Sequence, residues 1–207
     1  MPVLDAFGDP PPRDAIEAAA EALAGGEIVG VPTDTVYGLA ADPFRKGAAD
    51  RLFRVKGRPR AVELPVLVAD RDQAFELCRA VPPAAVRLVE RYWPGPLTLV
   101  LPRRPGLGAD LGEDEATVGV RCPAHPVPLA LCRLAGPIAT TSANRHGEPP
   151  MGSAQELHEA LGAEVAVVLD AGPCRGVPST VVDCTGQELR ILRLGGVPEA
   201  DVLAAAG

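Results

Sequence analysis

Aromatic residues make up only 3% of this chain, and Lys and Arg are outnumbered by Asp and Glu, 20 to 27. A net charge of −7 leaves no general excess of cations to neutralise phosphates. The shortage of Phe, Trp and Tyr removes the platforms on which single strands stack. A sequence-independent grip on nucleic acid is therefore not expected, although a local basic patch remains compatible with these numbers. No run of roughly 18 apolar residues occurs, and the N-terminal "MPVLDAFGDPPPRDAIEAAAEALAGGE" has no basic segment followed by an apolar one, so the reading is a soluble cytoplasmic protein without membrane span or leader. The five cysteines, Cys78, Cys122, Cys132, Cys174 and Cys184, are odd in number and scattered, with no Cys-x-x-Cys pair. They read as reduced thiols, and neither a disulfide framework nor a zinc site is expected. His125, His146 and His158 do not form a metal-ligand spacing, and His125, between prolines in "CPAHPVP", reads as a loop residue. Gly-x-Ser-x-Gly, Gly-x-Gly-x-x-Gly and Gly-x-x-x-x-Gly-Lys-Ser/Thr are all absent, which excludes a nucleophile elbow, a Rossmann fingerprint and a P-loop.

What is present suits one globular core: 207 residues, 47% hydrophobic and 23% charged. Alanine-rich 15–24, stopped by Gly25-Gly26, reads as a helix feeding a strand at 27–31. Helices are expected over 48–56, 73–79, 84–92, 128–134 and 154–161. Strands are expected over 65–69, 97–101, 117–122, 138–141, 165–169, 180–183 and 189–194, followed by a short apolar tail. This mixture predicts a single α/β domain over 1–207 with no additional C-terminal domain. The short links between the last strands make its sheet mixed in direction. The loop 102–116, "PRRPGLGADLGEDEA", reads as a lid or as a disordered excursion.

Three segments carry chemistry. The first, 51–60, has five cations in ten residues, and its structural reading is a solvated helix end whose charges complement the dipole. Arg58 fits that reading less well, because a residue before proline is extended and lies beyond the helix. An extended Lys-x-Arg pair can converge on one phosphate, the ammonium as a point charge and the guanidinium as a fork. The second and third follow from strand parity, which aligns Thr117 with Arg121 across Gly119, and Thr140 with Ser142 and Asn144. A polar sheet face open to water is the alternative. Against it, these short hydroxyl, amide and basic groups suit a ligand better than a solvated surface. In "PTDTVYGLAAD", Pro32 breaks the ladder after an apolar strand, Thr33 and Thr35 share a face if the chain stays extended, and Gly38 permits a turn.

Taken together, "PTDTVYGLAAD", "KGRP", "WPGPLTLVL", "TVGVRCPAHP", "TSAN", "PSTVVD" and "LRLG" resemble, in order and approximate spacing, the YrdC-type threonylcarbamoyl-AMP synthases over about 27–195. The resemblance implies a twisted, mostly open sheet with a concave cleft. It implies synthesis of threonylcarbamoyl-adenylate and pyrophosphate from L-threonine, bicarbonate and ATP, with Mg2+ carried on ATP and not in a protein cage. A separate transferase would then pass the threonylcarbamoyl group to a tRNA adenosine. It implies catalytic roles for Lys56, Arg58, Ser142 and Asn144, with Thr117 and Arg193 also on the nucleotide. Thr35, Arg121, Thr140 and Ser179 would surround threonine, Arg121 anchoring its carboxylate. The chain departs from the family pattern in three places. The spacer after Arg58 is two residues longer, with Leu64 where a polar or basic residue is usual. Ala69 replaces a histidine. Pro149-Pro150 stands where a serine is common. Two other readings are a carbamoyl-transfer module like that of hydrogenase-maturation proteins, whose further domains and cysteine pairs are missing here, and a non-catalytic RNA-binding or translation-associated module, which charge and aromatic content disfavour.

Overall fold

A computed structural model describes residues 2–145, 147–174 and 176–207. A short strand, β1 (Val3–Asp5), precedes the alanine-rich helix α1 (Arg13–Ala24), whose buried Ala15, Ile16, Ala19 and Leu23 fall on one face at helical spacing. Gly26, at φ 80°, supplies the left-handed turn that ends α1. There follow β2 (Val29–Val31), β3 (Gly38–Ala41), α2 (Ala48–Lys56), β4 (Val66–Leu67), α3 (Arg71–Glu76), α4 (Pro83–Tyr92), β5 (Leu97–Pro102) and β6 (Thr117–Arg121). The chain continues through α5 (Pro126–Ala135), β7 (Ile138–Ser142), α6 (Ala154–Leu161), β8 (Val167–Asp170), β9 (Thr180–Asp183), β10 (Arg190–Arg193) and α7 (Glu199–Ala206).

The strands form one open sheet in the order β1-β8-β2-β3-β7-β4-β6-β5-β9-β10. It is mixed, as expected: β1–β8, β2–β8, β4–β6 and β5–β9 run parallel, and the other neighbours antiparallel. One face carries the larger core, in which Leu39, Val66, Val118, Val120, Leu97, Leu99 and Ala139 meet α2, α4 and α6. The opposite face is covered by α1 and α5 over β2, β4, β7 and β8, through Ile16, Leu23, Val127 and Leu131 against Val31, Leu67, Ile138 and Leu169. That second cluster takes no described residue from β5, β6, β9 or β10. Parity places Thr98, Thr117, Gly119, Arg121, Thr140 and Ser142 on this same face, opposite the larger core. The helices thus cover half of it and leave the polar half without a helical cover.

Three elements escape the sequence reading. β1 is only three residues at a sheet edge, and β3, "GLAA", lacks β-branched residues and is a strand because Gly38, Leu39 and Ala40 pair with both β2 and β7. The apolar tail is helix α7, buried through Val202 and packed on α4. Among the described residues no helix is long and apolar enough to cross a membrane. The 102–116 segment packs into the body, with Arg103, Leu107, Ala109 and Leu111 buried.

Candidate active site

The helix α2 ends where the sequence says it must. Gly57, at φ 64°, takes the left-handed cap, and its N–H and that of Arg58 satisfy the carbonyls of Arg54 and Phe53. Lys56, the last helical residue, is thereby aimed inward and is only 4% exposed. Its ammonium donates to the Ser142 carbonyl (2.8 Å), the Ser142 hydroxyl (3.0 Å) and Asn144 Oδ1. All three of its donors are engaged. Asn144 is held in turn, its Nδ2 donating to the carbonyls of Arg145 (3.0 Å) and Glu148. The amide therefore orients Lys56, and Ser142, accepting from the ammonium, keeps its own proton for a ligand. Pro149-Pro150 lie exposed, beyond the turn that this amide closes.

Arg58 projects past the cap. Nε donates to the Val62 carbonyl (2.8 Å), Nη2 to the Glu63 carbonyl (2.6 Å) and Nη1 to the Thr141 hydroxyl (3.4 Å). Thr141 is a site residue that parity argued against, since it lies on the face opposite Thr140 and Ser142.

A second group of residues surrounds Arg121, which is 6% exposed. Nε donates to the Gly95 carbonyl (3.0 Å), Nη1 to the Thr35 hydroxyl (2.9 Å) and Nη2 to Asp34 Oδ1 (2.5 Å). Two of the five guanidinium donors remain. Asp34 lies within "PTDT", and no local pattern pairs it with a residue 87 positions on. The Thr33–Thr35 stretch is a bend and not extended strand. The Thr33 hydroxyl donates to the Val36 carbonyl (2.7 Å) and accepts from the N–H groups of Thr35 (3.1 Å) and Val36 (3.2 Å), with the Thr33 and Thr35 oxygens 2.8 Å apart. The turn is made by this hydroxyl, whereas Gly38 begins β3, where a Cβ would lie 3.3 Å from the Thr141 carbonyl.

The far edge adds Arg193, whose Nε (3.1 Å) and Nη2 (2.9 Å) donate to the Ser179 carbonyl and Nη2 also to its hydroxyl (3.0 Å). Ser179 and Thr98 share a further hydroxyl bond of 2.9 Å. Two expected ligand groups are committed within the protein: the Thr117 hydroxyl donates to Asp114 (2.6 Å) and that of Thr140 to the Pro65 carbonyl (3.3 Å). Each keeps only its acceptor lone pairs for a ligand.

Electrostatics joins these groups. Burial, then the neighbouring Arg58, pushes Lys56 down to about 8. Burial and then Arg193 lower Arg58. Burial lowers Arg121 as well, with Asp34 opposing and Arg193 adding to the shift, and Arg193 is itself lowered by burial. Lys56, Arg58, Arg193 and Arg121 thus form a chain of cations, each feeling the next, in a protein of net charge −7. Such an arrangement is built for anions. Burial pushes the thiols up, Cys78 and Cys122 to about 11 and Cys184 to about 12. All five cysteines are free. His125 caps α5, its Nδ1 accepting from the Val127 N–H at 3.3 Å, and His146 lies outside the described residues.

The departures from the family pattern have local explanations. Leu64 is 1% exposed, turned into the larger core, with its N–H on the Leu111 carbonyl at 2.8 Å. Ala69 is buried under α5, its N–H capped by the Gln73 side chain at 2.8 Å.

The family model Sua5/YciO/YrdC, described as "Telomere recombination", matches residues 21–195. A Mycobacterium tuberculosis protein provisionally named threonylcarbamoyl-AMP synthase is 41% identical over 201 residues, covering 96% of this chain and 93% of its own length. The threonylcarbamoyl-AMP synthase of Bacillus subtilis is 39% identical over 93% of this chain, and this chain spans 56% of that protein. The crystal structure of Pyrococcus abyssi Sua5 complexed with L-threonine superposes with a TM-score of 0.90 at 36% identity, over 100% of this chain and 61% of that one. The extent of the match and the shared fold lead to one assignment: the chain belongs to the Sua5/YciO/YrdC family.

Proposed function

We propose that this protein is an L-threonylcarbamoyladenylate synthase, a nucleotidyltransferase that joins L-threonine, bicarbonate and ATP into threonylcarbamoyl-AMP and pyrophosphate. The observation that carries the reading is the run of part-buried cations Lys56, Arg58, Arg193 and Arg121 beside the hydroxyls of Ser142, Thr35 and Ser179. The reaction brings together two anions that repel each other, and such a set is what holds both.

In this reading the threonine amine and bicarbonate give a carbamate and water. The carbamate oxygen attacks the α-phosphorus, an O–P bond forms, and the bond to the β-phosphate oxygen breaks with pyrophosphate leaving on its electron pair. No enzyme nucleophile is required. Arg58 binds the phosphates and Lys56 attracts them by its charge, its three donors being held by Ser142 and Asn144, while the Ser142 hydroxyl donates to a phosphate oxygen and the two remaining donors of Arg121 take the threonine carboxylate beside Thr35. Thr140, Ser179, Thr117 and Arg193 complete the two subsites. The donors facing the cleft are cations and hydroxyls, and among the described residues no three carboxylate, imidazole or thiol groups converge as a metal cage. This set fits an anion, and magnesium, if carried with ATP, would offset part of the phosphate charge that Lys56 and Arg58 face. The product, an activated acyl-adenylate, passes to a separate transferase that modifies tRNA.

The test is pyrophosphate release with ATP, bicarbonate and threonine. Release that depends on threonine and falls on the order of tenfold to a hundredfold in Lys56→Ala and Arg58→Ala is expected. Release indifferent to threonine would sink the function.

A further inference from the structure

The spacer between Arg58 and β4, two residues longer than the resemblance leads one to expect, builds a clamp. Arg58 rests on two carbonyls of this spacer, those of Val62 and Glu63. The spacer in turn is seated against the turn 110–114. Leu64 N–H donates to the Leu111 carbonyl (2.8 Å), Glu113 N–H to the Arg60 carbonyl (3.1 Å) and Asp114 N–H to Glu63 Oε1 (2.8 Å). Arg60 ties the outside, bridging Asp50 and Asp110 at 2.5 Å each while lying 4.8 Å over the Phe53 ring. Gly112, at φ 138°, is where the two pieces touch. A Cβ there would lie 2.7 Å from the Arg60 carbonyl oxygen and closer still to the Glu63 carboxylate. Glu63 Oε2 is buried without a partner, so the carboxylate is retained at a desolvation cost that its single bond to Asp114 N–H does not offset. Asp114 then accepts from Thr117 through Oδ2 and from Ala116 N–H through Oδ1.

Glu63 and Asp114 therefore link Arg58 on one side of the cleft to Thr117 on the other. We propose that Glu63 is a positioning residue for the nucleotide: by seating the 110–114 turn on the spacer it fixes the Arg58 guanidinium and the Thr117 hydroxyl relative to each other. The proposal rests on the synthase reading, in which those two groups contact ATP. It also assigns the 102–116 segment a static task, as a buttress closed around the buried Arg103, whose Nη2 donates to the Ala109 carbonyl and Nη1 to that of Asp114 (3.4 Å).

Steady-state kinetics with ATP and threonine varied separately tests it. Glu63→Ala is expected to raise KM for ATP about tenfold and leave KM for threonine within about twofold, and Glu63→Gln, which keeps the acceptor for Asp114 N–H, to restore most of the loss. In an Arg58→Lys background, which removes the fork that Val62 and Glu63 hold, Glu63→Ala is expected to add little. Equal increases in both KM values, or effects that multiply with Arg58→Lys, overturn the positioning role. Glu63→Gln serves as the folded comparison should Glu63→Ala melt early. Loss of threonine-dependent pyrophosphate release in the wild-type protein overturns the synthase reading itself, and is told apart because it needs no variant.

Discussion

The Arg121 guanidinium donates to the Thr35 hydroxyl at 2.9 Å, across 86 residues of sequence. This bond spans the sheet, because Thr35 sits in the bend between β2 and β3 while Arg121 ends β6, three strands away from β3. Replacing Thr35 by Val removes the acceptor and leaves a buried donor unpaired, which costs about 1–3 kcal/mol. Threonine affinity, followed by calorimetry, is expected to fall about tenfold or more with ATP affinity little changed. Thr33→Val is expected to lower Tm as well, since the Thr33 hydroxyl also holds two backbone N–H groups.

Arg121 is paired with Asp34, and the two side chains are 7% and 12% exposed. Arg121→Met strands a nearly buried carboxylate, and breaking such a pair from one side costs about 3–5 kcal/mol. Urea unfolding of Arg121→Met is expected to show that loss. The double variant Arg121→Met/Asp34→Asn is expected to regain most of the stability and none of the threonine binding. A double variant as unstable as the single one would refute the pairing argument.

Lys56, pushed down to about 8 by burial and then by Arg58, is charged at neutral pH and loses its proton as pH rises through that value. An anion binds the charged form, so ATP affinity is expected to fall above about pH 8 and to hold steady below it. Between about 8 and the ordinary lysine range the unfolded chain binds more protons than the folded one, so this residue makes the ligand-free protein more stable as pH rises through that window. Lys56→Arg, which stays charged, is expected to flatten the ATP profile between pH 7 and 9.5, about the range in which the lysine titrates. A profile unchanged in Lys56→Arg would assign the titration to another group.

Gly195 lies against the backbone that presents Ser179. A Cβ there would fall 2.5 Å from the Ser179 carbonyl carbon and closer still to the Pro178 oxygen, neither of which is a flexible side-chain end. Gly195→Ala is expected to cost about 1–3 kcal/mol, read as a drop in Tm, and to weaken ligand binding by moving the Ser179 carbonyl that Arg193 grips. Unchanged Tm and unchanged binding would show that the segment yields freely.

The sequence by itself determined most of the elements, because those rest on local rules. The helix 48–56 with its Gly57 cap, the alternation that puts Val118 and Val120 on one face and Arg121 on the other, and the placement of Arg58 beyond the helix end all follow from periods of 3.6 and 2 and from the backbone demands of Gly and Pro. Tertiary structure decided what depends on partners far away in the chain. Short β3 is a strand because β2 and β7 pair with both its edges, and the tail is a helix because α4 offers it a surface. Thr141 enters the site from the face that parity gives to the core, since Arg58 reaches past the end of α2. Asn144 spends its amide on Lys56 and two carbonyls, and Thr117 its proton on Asp114. No local pattern encodes these commitments, because each requires a donor and an acceptor that only folding brings within 3 Å or so of each other.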